Sequence, residues 1–304
     1  MLWNVYNALR IIQCILNKNG KQRIIHMNYR VEGSSVIMER PEDFDAEKIF
    51  ECGQCFRWNL QEDGYWTGVA LGHVLKLREE GDTVRFLCSE DDFLKVWMPY
   101  FDLGRDYAAV RARISIDPFT AKAAEFGKGI RILQQDAWET LCSFIVSQCN
   151  NIKRIKGIVE RLCVLFGDQI AYHGEVHYLF PPPERLAHLE EKDLESLRAG
   201  YRTGYILNAA REIVQGRLSL DILKNVTTDK AIEALTELRG VGIKVANCAV
   251  LFGLGKIDAF PVDVWVRRAI ERHYDAETFD STVFGEDAGI AQQYIFYYIR
   301  NGQD

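Results

Sequence analysis

The first part of the chain alternates hydrophobic and polar residues, which is the pattern of β-strands. The strand-like pattern runs from Ser34 to about Glu90. Within it, VLKLREEGDTVRFLC alternates on both sides of Glu80-Gly81-Asp82 and predicts a β-hairpin. CFRWN and GYWTGVAL predict two further strands. This part of the chain is therefore expected to form an antiparallel sheet.

Hydrophobic residues take helical spacing after Cys88 and almost everywhere beyond Lys128. Ser89 precedes an acidic first turn, which is typical of a helix N-terminus. Later stretches such as DAWETLCSFIVSQCN and NIKRIKGIVERLCVLFG repeat apolar residues every three or four positions and stop at Asn or Gly. We therefore predict an α+β fold, with an antiparallel β-rich domain at 27–127 and an all-α domain at 128–304.

The first 26 residues form an extension to this pattern. MLWNVYNALRIIQCILN is apolar, but polar residues interrupt it, and it lacks the basic start and the small-residue cleavage site of a signal peptide. Two interpretations remain open, an accessory helix or an upstream start codon with the working protein beginning near Met27. We favour the second.

Composition excludes several classes of protein. The formal net charge of -6 argues against a generally basic nucleic-acid coat, although a local basic face on an acidic body remains compatible with it. The eight cysteines lie mostly in apolar runs and lack the spacing of a secreted disulfide framework. No apolar stretch is long enough to span a membrane. These features predict a cytoplasmic protein with reduced thiols and no membrane partner.

The stretch LRGVGIKVANC places one lysine in an otherwise apolar segment. With its flanks it predicts a helix–hairpin–helix at about 231–253, turning at Gly240-Val241-Gly242 and resuming as a helix near Ile243. Lys244 and Cys248 then lie one turn apart on the same face. Such a turn leaves backbone N–H groups for a phosphate and binds DNA without reading sequence. A Gly-x-Gly turn alone also occurs in ordinary helix corners.

Asp263 lies at or near the start of the next predicted helix, in FPVDVWVRRAIERHY. Alone, an aspartate there is more often a helix cap than a catalytic group. A neutral lysine amine, however, can attack the C1′ atom of a sugar and form a Schiff base. A carboxylate beside it suits support of an oxocarbenium-like sugar and proton transfer. Lys244 and Asp263 together therefore predict an enzyme that displaces a base and then cleaves by β-elimination.

Several motifs resemble one family of repair enzymes. LRGVGIKVANC followed by FPVDVWVRRAI resembles the helix–hairpin–helix DNA glycosylases with a Gly/Pro-rich loop and an aspartate, and Lys244 marks their bifunctional lyase branch. GQCFRW, NNIKRIKGIVERLC and AGIAQQYIF further resemble 8-oxoguanine DNA glycosylase. The resemblance runs from about Tyr29 to the C-terminus. It implies a TBP-like β-rich domain, followed by a helical domain that excises 8-oxoguanine from duplex DNA by base flipping in base excision repair.

The same resemblance implies the binding residues. The base pocket would comprise Gly53, Cys248, Gln292 and Phe296, with the Gly53 carbonyl accepting the N7–H of 8-oxoguanine. DNA and estranged-base contacts would come from eight further residues: Asn150, Arg154, Tyr201, Arg202, Gly240, Val241, Gly242 and Trp265. Spacing alone favours the core for Phe296. For Cys248, a buried apolar role and a partly ionised pair with Lys244 both remain open.

Two positions depart from the pattern of the family. Cys149 stands where eukaryotic members usually carry the first of three asparagines, which contacts the estranged cytosine. The sequence therefore leaves the opposite-base preference open. Trp265 stands where those members carry a histidine that bonds the 5′ phosphate, and its indole N–H can donate but carries no charge.

The cysteines of the chain could also indicate a redox, zinc or iron–sulfur protein. Cys52-Gly53-Gln54-Cys55 is a C-x-x-C, but it has neither the flanks of a redox site nor further zinc ligands. No cysteine follows Cys248, so we expect no iron–sulfur cluster and no cofactor, beyond a possible cation at the hairpin backbone. The alternatives left open are a monofunctional alkylpurine-type DNA glycosylase and a non-catalytic helix–hairpin–helix DNA-binding protein. Duplex DNA containing 8-oxoguanine is the expected partner of a monomer.

Overall fold

A computed structural model describes residues 10–15 and 24–302, and its front part is a seven-stranded antiparallel sheet. The strands lie in the order β1-β2-β3-β7-β6-β5-β4. In chain order they are β1 (Arg10–Ile15), β2 (Ile24–Glu32), β3 (Ser35–Glu39), β4 (Trp58–Leu60), β5 (Trp66–Ala70), β6 (His73–Glu80) and β7 (Thr83–Phe86). The predicted hairpin is confirmed, because β6 and β7 pair as far as Glu80 and Thr83 around Gly81, whose φ is 60°.

Strand β1 lies in the segment for which an accessory helix was one interpretation. Arg10–Ile15 pairs with β2 from Arg10 opposite Tyr29 to Ile15 opposite Ile24. The helix interpretation is therefore wrong for these six residues. Their sequence, RIIQCI, is rich in the β-branched residues that strands favour, and the β2 edge offers them unpaired backbone groups. The two interpretations of residues 1–9 and 16–23 concern positions outside the described residues.

One short helix interrupts the sheet where the sequence pattern predicts only strands. Helix α1 (Ala46–Glu51) begins at Asp45, whose side chain accepts the Lys48 N–H at 3.0 Å. Phe50 of this helix stacks on Trp58 with ring centroids 4.2 Å apart. The helix ends at Glu51, so its packing positions the loop that follows, which contains Gly53.

Helices make up most of the remaining chain. After the predicted cap at Ser89, which accepts the Asp92 N–H at 3.0 Å, come α2 (Glu90–Asp92), a π-helical turn (Phe93–Trp97) and α3 (Met98–Tyr100). The others are α4 (Tyr107–Ile114), α5 (Pro118–Phe126), α6 (Ala137–Ser147), α7 (Ile152–Phe166), α8 (Pro183–Ala187), a 3-10 segment (Glu191–Leu197), α9 (Arg202–Val214), α10 (Leu220–Lys224), α11 (Thr228–Thr236), α12 (Ile243–Gly253), α13 (Val264–His273), a 3-10 segment (Ser281–Asp287) and α14 (Ala288–Arg300). Within residues 10–15 and 24–302, none of the helices combines the length and apolarity needed to cross a membrane.

A two-stranded hairpin is the one β-element within the helical part as described. Strands β8 (Gln169–Tyr172) and β9 (Glu175–Tyr178) pair around His173 and Gly174, which both have positive φ. The hairpin docks on the front sheet, where Lys76 Nζ donates to Glu175 at 3.1 Å. The predicted order of an antiparallel sheet followed by a helical domain is confirmed, with this hairpin as an addition to it.

Two hydrophobic cores hold the molecule together. One gathers the sheet, α1 and the residues around the π-helical turn, and the other gathers the helices from α4 onward. Cys52 and Phe56 belong to the second core although they precede the last strands of the sheet, whereas Leu133 belongs to the first. The chain therefore crosses between the cores more than once, and the predicted domain boundary at 127/128 stays a prediction.

Candidate active site

The predicted helix–hairpin–helix is formed by α11, the turn around Gly240 and α12. Gly240 has a φ of 80°, a conformation that suits glycine. A Cβ at this position would lie 2.2 Å from Tyr205 Cδ2, so glycine also permits the turn to approach α9. Val241 is buried and donates its N–H to the Leu238 carbonyl at 3.0 Å. Gly242 is exposed and directly precedes α12.

Lys244 is the second residue of α12 and is half-buried against the end of α6. Its Nζ donates to Ser147 Oγ at 3.3 Å and lies 5.1 Å from the centroid of the Phe144 ring. The Ser147 hydroxyl donates in turn to the Phe144 carbonyl at 2.8 Å, which leaves an oxygen lone pair for the amine. The amine is thus held by neutral groups, and no carboxylate forms an ion pair with it in the described part of the chain.

Asp263 directly precedes α13 and caps it. Its Oδ1 accepts the Trp265 N–H at 3.0 Å and the Val266 N–H at 2.9 Å. The local interpretation of this aspartate as a helix cap is therefore correct. The two backbone N–H groups fix the carboxylate, and no described residue hydrogen-bonds to its Oδ2.

Cys248 links the lysine and the aspartate. Burial raises the pKa of the Cys248 thiol, the nearby Lys244 offsets part of the rise through its charge and a hydrogen bond, and the Asp263 carboxylate adds to it. Both charged groups therefore lie close enough to act on the same thiol. The raised pKa favours a neutral thiol at this position over the ionised pair with Lys244.

The loop that contains Gly53 is fixed from two sides. Gln293 of α14 donates to the Cys52 carbonyl at 2.8 Å, and Gln54 donates to the Arg131 carbonyl at 2.8 Å. Gly53 has a φ of 85°, and a Cβ at this position would lie 3.5 Å from Phe296 Cε1. The structure therefore brings Gly53 and Phe296 together, as predicted for the pocket.

Gln292 is the polar residue of α14 beside this contact. Its side chain is buried, and its Oε1 has no hydrogen-bond partner among the described residues. A buried amide oxygen without a partner costs about 1–3 kcal/mol, and this oxygen can therefore accept a hydrogen bond from a ligand. Gln293, the next residue, has its partner in the Cys52 carbonyl. Of these two glutamines, Gln292 is therefore the one with an unpartnered amide oxygen, and its predicted contact with a base edge stays a prediction.

Helices α12 and α14 connect the two groups of site residues. A Cβ at Gly289, near the start of α14, would lie 2.3 Å from Leu251 Cδ1, so glycine allows the two helices to touch. The Gly289 N–H donates to the Ile257 carbonyl at 2.7 Å, in the loop that leads to Asp263. Lys244, Cys248 and Asp263 are thus attached to the helix that carries Gln292 and Phe296.

The predicted DNA contacts on the α6–α7 loop have local partners. Asn150 donates to the Val146 carbonyl at 3.0 Å, and the exposed Arg154 donates to the Arg198 carbonyl at 3.2 Å. Cys149 is exposed and has a φ of 46°, a left-handed conformation that asparagine adopts more readily than most residues. This backbone explains why an asparagine would suit the position.

Tyr201 and Arg202 lie in different environments although they are neighbours. Tyr201 is exposed. Arg202 is buried, and its guanidinium donates to the carbonyls of Gln148 at 2.9 Å, Cys149 at 3.2 Å and Ala199 at 3.1 Å. Arg202 therefore holds the α6–α7 loop in this conformation. Its role in reading the partner base stays a prediction.

Trp265 is half-buried in the first turn of α13. The Arg268 guanidinium lies 4.9 Å from its ring centroid. A positive charge is thus present beside the tryptophan that replaces the family's histidine. The predicted phosphate contact of Trp265 stays a prediction.

The two cysteines of the C-x-x-C motif are buried beside the Gly53 loop. Burial raises the pKa of Cys52 to about 12 and that of Cys55 well above its ordinary value. Reactive thiols have depressed pKa values, so these two serve as packing residues.

Sequence reasoning missed three residues that shape the site, namely Ser147, Tyr205 and Gln293. Ser147 holds the amine, Tyr205 contacts the hairpin turn, and Gln293 fixes the Gly53 loop. The only signal of Gln293 in the sequence was its place next to Gln292.

The chain matches the models of two known protein families. The family model "8-oxoguanine DNA glycosylase, N-terminal domain" matches residues 36–141, and the "HhH-GPD superfamily base excision DNA repair protein" model matches residues 142–283. An N-glycosylase/DNA lyase from Saccharomyces cerevisiae is 34% identical over 252 residues, which cover 74% of this chain and 67% of the relative.

Solved structures agree with the family models. MBOgg1 in complex with a low-affinity DNA ligand superposes with a TM-score of 0.87 at 41% identity, over 92% of this chain and 100% of the other. The Clostridium acetobutylicum 8-oxoguanine glycosylase/lyase, in complex with duplex DNA containing cytosine opposite 8-oxoguanine, gives 0.84 at 37% identity, over 91% and 98%. The chain therefore belongs to the N-glycosylase/DNA lyase family of helix–hairpin–helix base excision repair proteins, as an 8-oxoguanine DNA glycosylase.

Proposed function

We propose that this protein removes 8-oxoguanine from duplex DNA and then cleaves the strand. Lys244 is the nucleophile, and the Asp263 carboxylate stabilises the positive charge that develops on the sugar. One observation carries the assignment of residues. Lys244 lies in the first turn of α12, Asp263 caps the start of α13, the next helix in the chain, and both lie near the buried Cys248 thiol, whose pKa responds to each of them. A helix–hairpin–helix that only grips DNA needs neither group.

The first step breaks the bond between the base and its sugar. The flipped nucleotide places its C1′ atom at Lys244, whose amine, once it has given up its proton, attacks as the bond to the base breaks and its electron pair leaves with the base. Asp263 stabilises the positive charge that develops on the sugar, because its carboxylate is already oriented by two backbone N–H groups. The amine loses a proton after the attack, and the departing base gains one.

The second step cleaves the strand. Opening of the sugar ring gives a Schiff base between Lys244 and C1′, which acidifies the neighbouring C2′ hydrogens. Loss of a C2′ proton then expels the 3′ phosphate by β-elimination. Water hydrolyses the imine and restores the lysine. The proposed steps use the side chains of this chain, and a cation at the hairpin backbone stays a prediction.

Recognition of the base is proposed for the pocket formed by Gly53, Gln292 and Phe296. Phe296 offers a ring for stacking, and the unpartnered Gln292 Oε1 offers an acceptor for the base edge. The Gly53 carbonyl is proposed to accept the N7–H that distinguishes 8-oxoguanine from guanine. The position of Gly53 beside Phe296 supports this, because a Cβ at Gly53 would lie within van der Waals contact of the Phe296 ring, at 3.5 Å.

Borohydride trapping on a duplex with one 8-oxoguanine tests the residue assignment. The wild-type protein should release the base and form a reduced covalent adduct, whereas Lys244→Gln should bind the duplex and do neither. Asp263→Asn should lower base release at least about 100-fold, because it removes charge stabilisation from the transition state. Lys122→Gln, at an exposed lysine of α5, is the matched control and should behave as wild type.

Two outcomes would contradict the proposal. Base release by the wild-type protein without an adduct would indicate a monofunctional glycosylase of the alkylpurine type. Duplex binding with neither base release nor adduct would reduce the protein to a DNA-binding module.

A further inference from the structure

Tyr201 is exposed, yet its ring is held by two neighbours. Its side chain is 53% exposed, and the Arg202 guanidinium lies 4.5 Å from the ring centroid. The Tyr205 ring meets it with centroids 5.6 Å apart and an interplanar angle of 66°. Cation–π and edge-to-face ring contacts both favour a defined orientation. The Tyr201 ring, which the family resemblance assigns to contacts with DNA, is therefore fixed on the protein.

Tyr205 also contacts the turn of the hairpin. A Cβ on Gly240 would overlap the Tyr205 ring at 2.2–2.5 Å, so the backbone of the turn lies directly against this ring. The Arg239 guanidinium lies 5.9 Å from the centroid of the same ring, and the Arg239 N–H donates to Asn208 Oδ1 at 3.1 Å. Helix α9, which carries Tyr205 and Asn208, is thus attached to the turn at two adjacent positions.

The position of the turn determines the position of the Lys244 amine. Helix α12 begins at Ile243, only three residues after Gly240, and Lys244 is in its first turn. Val241 is buried in the core and donates its N–H to the Leu238 carbonyl, so the turn is attached to the end of the first hairpin helix. Tyr205 therefore lies between the exposed Tyr201 ring and the start of the helix that carries the amine.

We propose that Tyr205 is a positioning residue that couples entry of Tyr201 into the duplex to placement of the flipped nucleotide at Lys244. The inference rests on the proposed function, since it assumes that Lys244 attacks the sugar, and it adds that Tyr201 enters the duplex when the nucleotide is flipped. Tyr205 acts through the packing of its ring and touches neither the substrate nor the reacting atoms. Its hydroxyl group has no part in this role, so phenylalanine should replace it.

Single-turnover release of 8-oxoguanine from a duplex measures this role. Tyr205→Leu keeps an apolar side chain but loses the ring, and we expect the rate constant to fall about tenfold or more because the nucleotide is misplaced at the amine. The Kd for a duplex with a non-cleavable tetrahydrofuran abasic site should change less than about threefold, since the phosphate contacts remain. Tyr205→Phe should retain the wild-type rate.

A double-mutant cycle tests the coupling itself. In the Tyr205→Leu background, Tyr201→Ala should slow base release at least about threefold less than it does in the wild-type background, because the connection is already broken. Additive effects of the two substitutions would overturn the proposal.

Phe180→Leu is the matched control for a loss of stability alone. Phe180 is another partly buried aromatic residue on the same core, and its ring centroid lies 6.4 Å from that of Trp138. The Phe180→Leu substitution should lower Tm without lowering the rate constant of base release at a temperature well below Tm. Equal rate losses in the two leucine variants would overturn the inference about Tyr205. Absence of a borohydride adduct in the wild-type protein would instead contradict the proposed function, so the two failures are distinguishable.

Discussion

At the scale of single residues, adjacent glutamines on α14 have different tasks. Gln293 is satisfied, because its amide donates to the Cys52 carbonyl and fixes the loop of Gly53. Gln292 is buried with an unpartnered Oε1. A protein keeps such a group only at a cost in stability, and a base edge is the ligand that we propose for it. An apolar substitution of Gln292 should therefore raise the stability of the protein and lower its activity.

Replacement of Gln292 by methionine tests this opposition. Gln292→Met removes the unsatisfied amide at similar volume, so the free energy of unfolding should rise by about 1 kcal/mol. The single-turnover rate constant for 8-oxoguanine release should fall at least about tenfold, because the hydrogen bond to the base is lost. Urea unfolding and single-turnover assays measure the two quantities.

Gln293→Met is the control for this substitution. It breaks a buried hydrogen bond and should lower the free energy of unfolding by about 1–3 kcal/mol. Equal destabilisation by the two methionine variants would show that Gln292 is an ordinary structural residue.

At the scale of elements, two glycines of the hairpin turn have different surroundings. Gly240 has a positive φ and lies against the Tyr205 ring, whereas a Cβ at Gly242 would meet open space at a φ of -91°. Packing therefore requires glycine at position 240 but not at position 242. Gly242 instead leaves the N-terminus of α12 unobstructed.

Alanine at each glycine separates these roles. Gly240→Ala should lower the free energy of unfolding by about 1–3 kcal/mol, because it combines a left-handed conformation with an overlap against Tyr205. Gly242→Ala should cost less than about 1 kcal/mol. Urea unfolding measures both, and equal costs would mean that the contact between the turn and α9 does not constrain the hairpin.

The sequence predicted the long elements of the fold better than the short ones. Long periodic segments, the glycines of the turn and Pro261 before Asp263 are local signals, and they located the hairpin, α12 and the start of α13. Helix α1 and the β8–β9 hairpin have only four to six residues per element, too few for a period to stand out. Tertiary packing decides such short elements.

The site was predictable to a similar extent. Lys244 and Asp263 follow local turn signals, so their positions were accessible from the sequence. Ser147 meets Lys244 across 97 positions of the chain, and Gln293 meets Cys52 across 241. Local patterns carry no information about such distant contacts.

At the scale of the whole molecule, one arginine joins the two cores. Arg57 is buried in the segment shared by the cores, donates to the Tyr178 carbonyl, and places Nη1 3.7 Å from Glu139 Oε2 at the start of α6. The pair is too long for a hydrogen bond. Burial therefore dominates and raises the pKa of Glu139 to about 7, and the charge of Arg57 offsets only part of the rise.

This junction should make stability depend on pH. Because the pKa of Glu139 is raised above its unfolded value of 4.5, its contribution to stability is present below pH 4.5 and is lost as pH rises through about 7. Glu139→Gln removes this loss, so its free energy of unfolding relative to wild type should increase by roughly 1–3 kcal/mol between pH 5 and pH 8.

Urea unfolding at the two pH values measures the difference. Glu160→Gln, at an exposed glutamate of α7, is the control and should show no such change. A Glu139→Gln variant that follows the wild-type pH profile would mean that the carboxyl group is ionised throughout, as an ordinary ion pair with Arg57.

The most direct test of the account locates the covalent bond to the sugar. A duplex with one 8-oxoguanine is incubated with the wild-type protein and borohydride, and the adduct is digested and mapped by tandem mass spectrometry. The account predicts a reduced deoxyribose remnant on the Nζ atom of Lys244. A remnant on another lysine or on the N-terminal amine, or base release with no remnant on the protein, would contradict it.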